Sequence, residues 1–238
     1  WSPNSTRIAS GGKGNIVQIW DAHTGKLTFV FTGHIDTVNA IAWSPDGTRI
    51  ASGSDDGTIQ VWEVATGTVV LKYTQQGQAV TWSPDGMRIA SGGNDNTVQI
   101  WDVTAGRRLF VYPRHSAPVL SVAWSPKGKY IASAGNDALV RVWEAATGDD
   151  LPPYSGHDGI VTAVSWSADG THIASAGYDQ TVQVWDITTR SDVFRYTGHT
   201  INFRSGYSYP VNAVSWSPDG MRIASAGADE TVQVWQAL

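Results

Sequence analysis

The sequence contains no cysteine. Disulfide frameworks and thiolate metal sites are therefore excluded. Such a chain fits a reducing compartment, and a cytoplasmic location is the expectation. No apolar run approaches the ~20 residues of a membrane-spanning helix. Charge of positive sign is scarce: 16 Lys and Arg stand against 21 Asp and Glu, for a net charge of -5. With a pI of ≈ 5.6, no basic stripe exists to displace counterions from a nucleic-acid duplex, and no nucleic-acid partner is expected. The 25 glycines sit at turn signals rather than in phosphate-cradling loops. Metal ligands do not cluster either: His23 and His172 are isolated, and Asp149-Asp150 is a turn pair. No cofactor, metal site or catalytic residue is expected.

What the chain has instead is tryptophan, 12 of them, and all have a place in one repeated unit. Six copies begin at Trp1, Trp43, Trp82, Trp124, Trp166 and Trp216. They end at Trp20, Trp62, Trp101, Trp143, Trp185 and Trp235, each 19 positions after its partner. The starts are 42, 39, 42, 42 and 50 residues apart. A fixed unit with variable spacers is the mark of a repeat architecture.

The second copy shows the local chemistry. Ser44-Pro45-Asp46-Gly47 is a type I turn signal, with Pro pre-setting φ and Gly at the fourth position. A short strand, Arg49 to Gly53, follows, and Asp55-Asp56-Gly57 forms a second tight turn. Thr58 to Trp62 alternates like a half-buried strand. Val38 to Ala42 precedes the first Trp as an alternating run, and a turn at Ala65-Thr66-Gly67 leads to a fourth strand, Thr68 to Tyr73. Four short strands per period of about 42 residues match a propeller blade. The fold class expected is therefore an all-β propeller in one domain, residues 1–238. Its six blades, four-stranded in the middle of the chain, span approximately 1–31, 37–73, 78–112, 118–154, 160–196 and 210–238. The first blade lacks its inner strand and the last its outer strand. Pro152-Pro153 interrupts the outer strand of the fourth, as suits an edge.

With blades in view, the chain resembles the WD-repeat β-propeller family over essentially its whole length. The marks are Gly33-His34, Gly156-His157 and Gly198-His199, with Arg114-His115 as a variant. The repeat-ending pairs are Trp20-Asp21, Trp62-Glu63, Trp101-Asp102, Trp143-Glu144, Trp185-Asp186 and Trp235-Gln236. The resemblance implies a buried, hydrogen-bonded tetrad of His, Ser, Asp and Trp in each complete blade. Four sets match: His34, Ser52, Asp56 and Trp62; His115, Ser133, Asp137 and Trp143; His157, Ser175, Asp179 and Trp185; His199, Ser225, Asp229 and Trp235. A Ser-His-Asp nucleophilic triad is the rival reading. Recurrence once per blade argues against it, since a nucleophile needs one singular, exposed site. Two blades depart from the pattern. In the first, Gly14 stands at the Asp position, and in the third a shortened loop puts Gln76 where His is expected, leaving Asp95 to find another partner.

Propellers close when one terminus completes the other's blade. An ordinary junction, Trp20 to Trp43, takes 23 steps, whereas three residues follow Trp235. About 20 residues of closing segment are expected outside this sequence, or else the chain belongs to a longer, seven-bladed array. Oligomeric state is open, with edge pairing one route if closure is incomplete.

Function is sought where the repeats differ. The residue before the turn Asp is Lys13, Asp55, Asn94, Asn136, Tyr178 and Ala228 in turn. The resemblance places these turns, with the loops after the His residues, on the usual partner-binding face around a central channel. Different side chains on near-identical blades suit a composite binding surface; exposed turns free to vary would look the same. An insertion after His199 adds Phe203, Arg204, Tyr207 and Tyr209, residue types favoured at interface hot spots. The expected function is a non-catalytic protein–protein interaction scaffold with a protein or peptide partner. Near-identical tandem repeats resemble the sensory propellers of larger, often prokaryotic, signalling proteins. The alternative is a propeller that binds a small molecule or glycan in its channel. Against enzymatic readings, the Asp box of sialidase-like propellers fails, because Gly57 comes one position early after Ser54-Asp55-Asp56.

Overall fold

The computed structural model describes residues 1–75, 77–189, 191–199 and 210–237. They form six antiparallel sheets, one per repeat, and no helix occurs among the described residues. The chain divides into two compact units, Trp1–Arg114 and His115–Leu238.

The first unit holds three sheets, each a simple meander. Arg7–Gly11, Val17–Asp21 and Leu27–Phe31 make the first. Val38–Trp43, Arg49–Ser54, Thr58–Glu63 and Val69–Thr74 make the second. Gly77–Trp82, Arg88–Gly93, Val98–Asp102 and Arg107–Tyr112 make the third. In the second unit the fourth sheet is Val119–Trp124, Tyr130–Gly135 and Val140–Glu144. The fifth is Val161–Trp166, His172–Gly177, Val182–Asp186 and Asp192–Tyr196. The sixth is Val211–Trp216, Arg222–Gly227 and Val232–Gln236.

The fourth blade departs from the four-stranded expectation. Its outer segment touches the sheet through two isolated bridges, Val140 with Tyr154 and Trp143 with Asp150. Pro152 and Pro153 lie between these bridges, and neither has an N–H for the ladder, so the strand forms only at its two ends.

The turns follow from sequence. Gly47 N–H donates to Ser44 O at 2.9 Å, closing the type I turn, and Gly47 has a left-handed φ of 69°. Ser44 Oγ donates to Asp46 Oδ1 at 2.6 Å and accepts from Arg49 N at 2.9 Å, so the turn delivers the chain directly into the next strand. At the opposite end of that strand Gly57 has φ 81°. Its equivalents are not glycine: Asn15, Asn96, Ala138, Gln180 and Glu230 hold φ between 61° and 67°.

In the second and fifth blades the second strand is buried on both faces, as in Arg49–Ser54, where only the Arg is partly exposed. This explains its run of small residues, for neighbouring sheets press on it from either side. At Gly53 an added Cβ would lie 2.9 Å from the Cα of Gly77 in the next blade. The core is correspondingly laminar. One apolar cluster joins the first and second blades through Ile19, Phe31, Ile50 and Trp62. Another joins the second and third through Ile59, Tyr73, Trp82 and Trp101. In the second unit the fourth blade meets the fifth through Val142, Val164 and Trp166, and the fifth meets the sixth through Val184, Val214 and Trp216. Burial of such side chains, at roughly 1.5–3 kcal/mol each, outweighs any single polar contact in holding the blades together.

Candidate functional site

The tetrads are built by register. Trp62 stands opposite Ile50, so Ser52, two residues along, lies on the same face. Trp62 Nε1 donates to Ser52 Oγ at 3.2 Å, and Ser52 Oγ meets His34 Nε2 at 2.8 Å. His34 Nδ1 lies 2.8 Å from Asp56 Oδ2. A carboxylate can only accept, so Nδ1 carries the proton and Nε2 accepts from the serine hydroxyl. The proton donors thus run one way, from indole to hydroxyl to imidazole to carboxylate. Burial would raise the Asp56 carboxyl, but hydrogen bonds from Thr58 and His34 prevail and hold it below the usual carboxylate range.

The fourth blade repeats the chain: His115 lies 2.8 Å from both Asp137 and Ser133, and Trp143 Nε1 donates to Ser133 Oγ at 3.4 Å. In the fifth, His157 lies 2.9 Å from Asp179 and 2.8 Å from Ser175. In the sixth, His199 makes the same pair of contacts with Asp229 and Ser225. The Trp185 and Trp235 indoles stay outside these two chains, each with its buried N–H unpartnered. Against the opposing effect of burial, hydrogen bonding from His157 brings Asp179 down to about 2, and Asp137 and Asp229 are lowered in the same way by their histidines. The serines have no attack path. Ser52, Ser133 and Ser175 have no exposed surface and Ser225 only 2%.

The first blade keeps one link, Trp20 Nε1 to Ser10 Oγ at 2.9 Å. In the third, Gln75 rather than Gln76 fills the histidine's place; Gln76 itself lies outside the described residues. Ser91 Oγ donates to Gln75 Oε1 at 2.5 Å, and Gln75 Nε2 approaches Asp95 Oδ1 at 3.3 Å. A primary amide accepts at one atom and donates at the other, so it spans the same gap as the imidazole. Counting back from Trp82 misplaces the residue by one, because the shortened loop changes its path before the strand at Gly77.

Two features of the sites escaped the sequence reading. The first is a glutamine two residues before the closing Trp. Gln60 Nε2 donates to Gly33 O at 3.0 Å, Gln183 to Gly156 O at 3.2 Å and Gln233 to Gly198 O at 3.1 Å, fixing the loop that carries each histidine. The second is an aromatic residue 11 positions after the closing Trp: Phe31, Tyr73, Tyr112, Tyr154 and Tyr196. Four of these rings stack on the Trp of the next blade. Phe31 lies 4.4 Å from Trp62, Tyr73 4.3 Å from Trp101, Tyr154 4.8 Å from Trp185 and Tyr196 4.6 Å from Trp235, between ring centroids. Tyr154 OH and Tyr196 OH donate to Gln183 and Gln233, so staple and tetrad share one network. Burial pushes the Tyr73 hydroxyl up to about 12. The constant offset was legible; its meaning required the neighbouring sheet.

The variable residues sit at the turn tips. In the first unit Lys13 and Asn94 are exposed and Asp55 half-buried. Asp55 Oδ1 accepts from Asn39 and from Gln78 of the following blade, both at 2.9 Å, so it bridges two blades as well as facing solvent. In the second unit Asn136 is exposed, Ala228 half-buried, and Tyr178 48% exposed. Phe203, Arg204, Tyr207 and Tyr209 lie outside the described residues. Among the described residues no group of three or more His, Cys, Asp or Glu is placed to hold a metal ion, and no helix is long and apolar enough to cross a membrane.

A family model described as WD domain, G-beta repeat matches residues 1–21, 25–63, 72–102, 106–144, 148–186 and 191–236. A search of curated proteins returned no match. WD repeats generally mediate protein–protein interaction, and proteins built from them are typically non-catalytic. After the first, each matched segment runs from the outer segment of one sheet through three strands of the next, and together they take in nearly the whole chain, which therefore belongs to the WD-repeat family.

Proposed function

We propose that this chain is a non-catalytic protein-interaction scaffold, the propeller portion of a larger signalling or regulatory protein. The partner, a protein or peptide, docks on the face carrying the variable turns and the loops after the histidines. The observation that carries this reading is the contrast within each repeat. The tetrad histidines and serines are buried and hydrogen-bonded, while the residue one position before the turn Asp varies among the blades, with Asn in only the third and fourth, and reaches solvent in most. Tyr178, 48% exposed beside buried Asp179 partners, presents a rigid aromatic surface with a polar tip. Such a residue buries area at low rotamer cost, as interface anchors do. We propose that the insertion after His199, which carries Phe203, Arg204, Tyr207 and Tyr209, contributes to binding the same partner.

The test is affinity capture of partners by the full chain, followed by titration. Tyr178→Ala and Tyr207→Ala are expected to weaken binding by about 2 kcal/mol or more, as hot-spot truncations do. Lys127→Ala, in the turn after Trp124, serves as the opposite-face control and is expected to leave affinity unchanged. Loss at Lys127 with both tyrosine variants intact reverses the assigned face.

A further inference from the structure

Within each unit, the turns that follow the first Trp of successive blades pack on one another through a repeated contact. The glycine ending each turn faces the proline of the preceding blade's turn: Gly47 faces Pro3, Gly86 faces Pro45 and Gly170 faces Pro126. Between the fifth and sixth blades this contact changes. Gly220 faces Ala168, because the fifth turn reads Ser167-Ala168-Asp169-Gly170. The proline ring is missing, and a cleft of ≈ 230 Å³ opens there, lined by Ala168, Asp169, His172, Trp216, Asp219 and Gly220. That volume falls below the roughly 300–1,000 Å³ of drug-sized pockets and suits an occupant the size of a side chain.

The first junction, where Pro3 is present, shows how a guanidinium sits against the equivalent Trp. Arg7 of the first blade occupies the repeat position of His172, and Trp43 of the second that of Trp216. The Arg7 guanidinium lies over the Trp43 ring, 5.0 Å from its centroid, and reaches Gly47 O at 3.5 Å. The two junctions also agree in leaving the indole N–H of Trp43 and Trp216 buried without a partner, whereas Trp82 and Trp166 donate theirs to Ala42 O and Ala123 O at 3.0 Å. At the later junction the guanidinium is absent. His172 has replaced it, and its ring is engaged with Thr171 Oγ1 at 2.7 Å and Asp186 at 3.8 Å. Charge favours a cation more strongly here, since Asp169 stands where the first blade has Asn4. Hydrogen bonding from Ser167 holds Asp169 down to about 2, and Ser217 likewise lowers Asp219, which also faces Arg222.

We propose that this cleft is a guanidinium-binding site that takes an arginine side chain from a partner peptide. The guanidinium stacks on Trp216, donates to Gly220 O and pairs with the Asp169 and Asp219 carboxylates, as the internal Arg7 does on Trp43 and Gly47. The site lies on the face opposite the variable turns, so it does not depend on the partner surface proposed above.

The experiment is titration of the full chain with N-acetyl-arginine amide, followed by ligand-observed NMR. Saturable binding at one site is expected, with N-acetyl-lysine amide weaker and the citrulline analogue silent. His172→Arg supplies an internal guanidinium, and Ala168→Pro restores the missing ring. Both introduce residues the chain already carries at the equivalent position of other blades, so folding is expected to survive, as a thermal melt will show. Each variant is expected to lower affinity about tenfold, the loss of about 1.4 kcal/mol of stacking and pairing. Equal binding of arginine and lysine probes, unchanged binding in both variants, or no saturable binding each overturns the proposal. Free arginine binding more tightly than the amide reassigns the site to a small molecule and overturns the peptide reading.

Discussion

The second and third blades are neighbours with the same turn-strand-turn sequence, yet they solve one burial problem differently. In the second, an imidazole links Ser52 to Asp56, whose side chain is 3% exposed. In the third, the Gln75 amide links Ser91 to Asp95, and Asp95 reaches solvent. Both place an acceptor toward the serine and a donor toward the carboxylate. The contact to Asp95 is longer, 3.3 Å against 2.8 Å, because the shorter loop brings an amide in from a different path. The fold requires a donor–acceptor bridge of a certain length at this position, and histidine is one way to supply it.

The sharpest way to break the comparison is to remove each carboxylate. Asp56 accepts from His34, Ile35 N and both Thr58 donors, and its loss leaves buried donors without partners. Asp56→Ala is expected to cost about 3 kcal/mol, near the top of the range for unsatisfied buried groups. Asp95→Ala is expected to cost about 1 kcal/mol, because water reaches the vacated donors. Urea denaturation midpoints check both, and equal losses would show that burial does not set the difference.

Acid offers a graded version of the same cut. The folded Asp56 carboxyl is held below its usual value, so its contribution is fully present above the unfolded pKa, about 3.9, and is lost as pH falls through the folded value. Melting temperature is therefore expected to fall from about pH 5 downward. Asp56→Asn should be less stable at neutral pH and show a shallower decline. A variant whose melting temperature falls as steeply as the parent's would place the acid-sensitive group elsewhere.

The smallest effect lies at the next residue. Gly57 has φ 81°, and its third-blade equivalent Asn96 has φ 63°. Left-handed backbone penalises a Cβ by about 1–2 kcal/mol, with Asn the most tolerant of the non-glycine residues. Gly57→Ala is expected to lower stability by about 1 kcal/mol, whereas Asn96→Gly changes it by less than about 0.5 kcal/mol. Thermal denaturation of the pair measures this, and a large gain from Asn96→Gly would reveal strain at the third turn.

Much of this was legible in the chain. The 19-residue Trp spacing marked every blade core, and the Ser-Pro-Asp-Gly signals marked the turns that Gly47 and Gly86 now close. The four histidines, serines and aspartates came together as the family pattern implied. What failed did so for identifiable reasons. Gln75 was missed because position counting assumes a constant loop path. The aromatic staples at Phe31, Tyr73, Tyr154 and Tyr196 had a constant offset, but their Trp partners lie in the next repeat, where no within-repeat periodicity points. The open indoles of Trp185 and Trp235 are set by side-chain placement, which residue identity does not encode.

The sequence by itself determined the number of sheets, their meander order and the His, Ser and Asp members of four polar chains. These follow from local rules: turn chemistry, strand alternation and a fixed spacing between groups that must satisfy one another. Tertiary structure alone decided the contacts between blades. Ala168 and His172 look like ordinary drift in one repeat, and only the approach of Trp216 and Gly220 from the next turns them into a cleft. Packing between sheets depends on pairs of residues far apart in the chain, so a missing ring becomes a cavity only when its neighbour is in place.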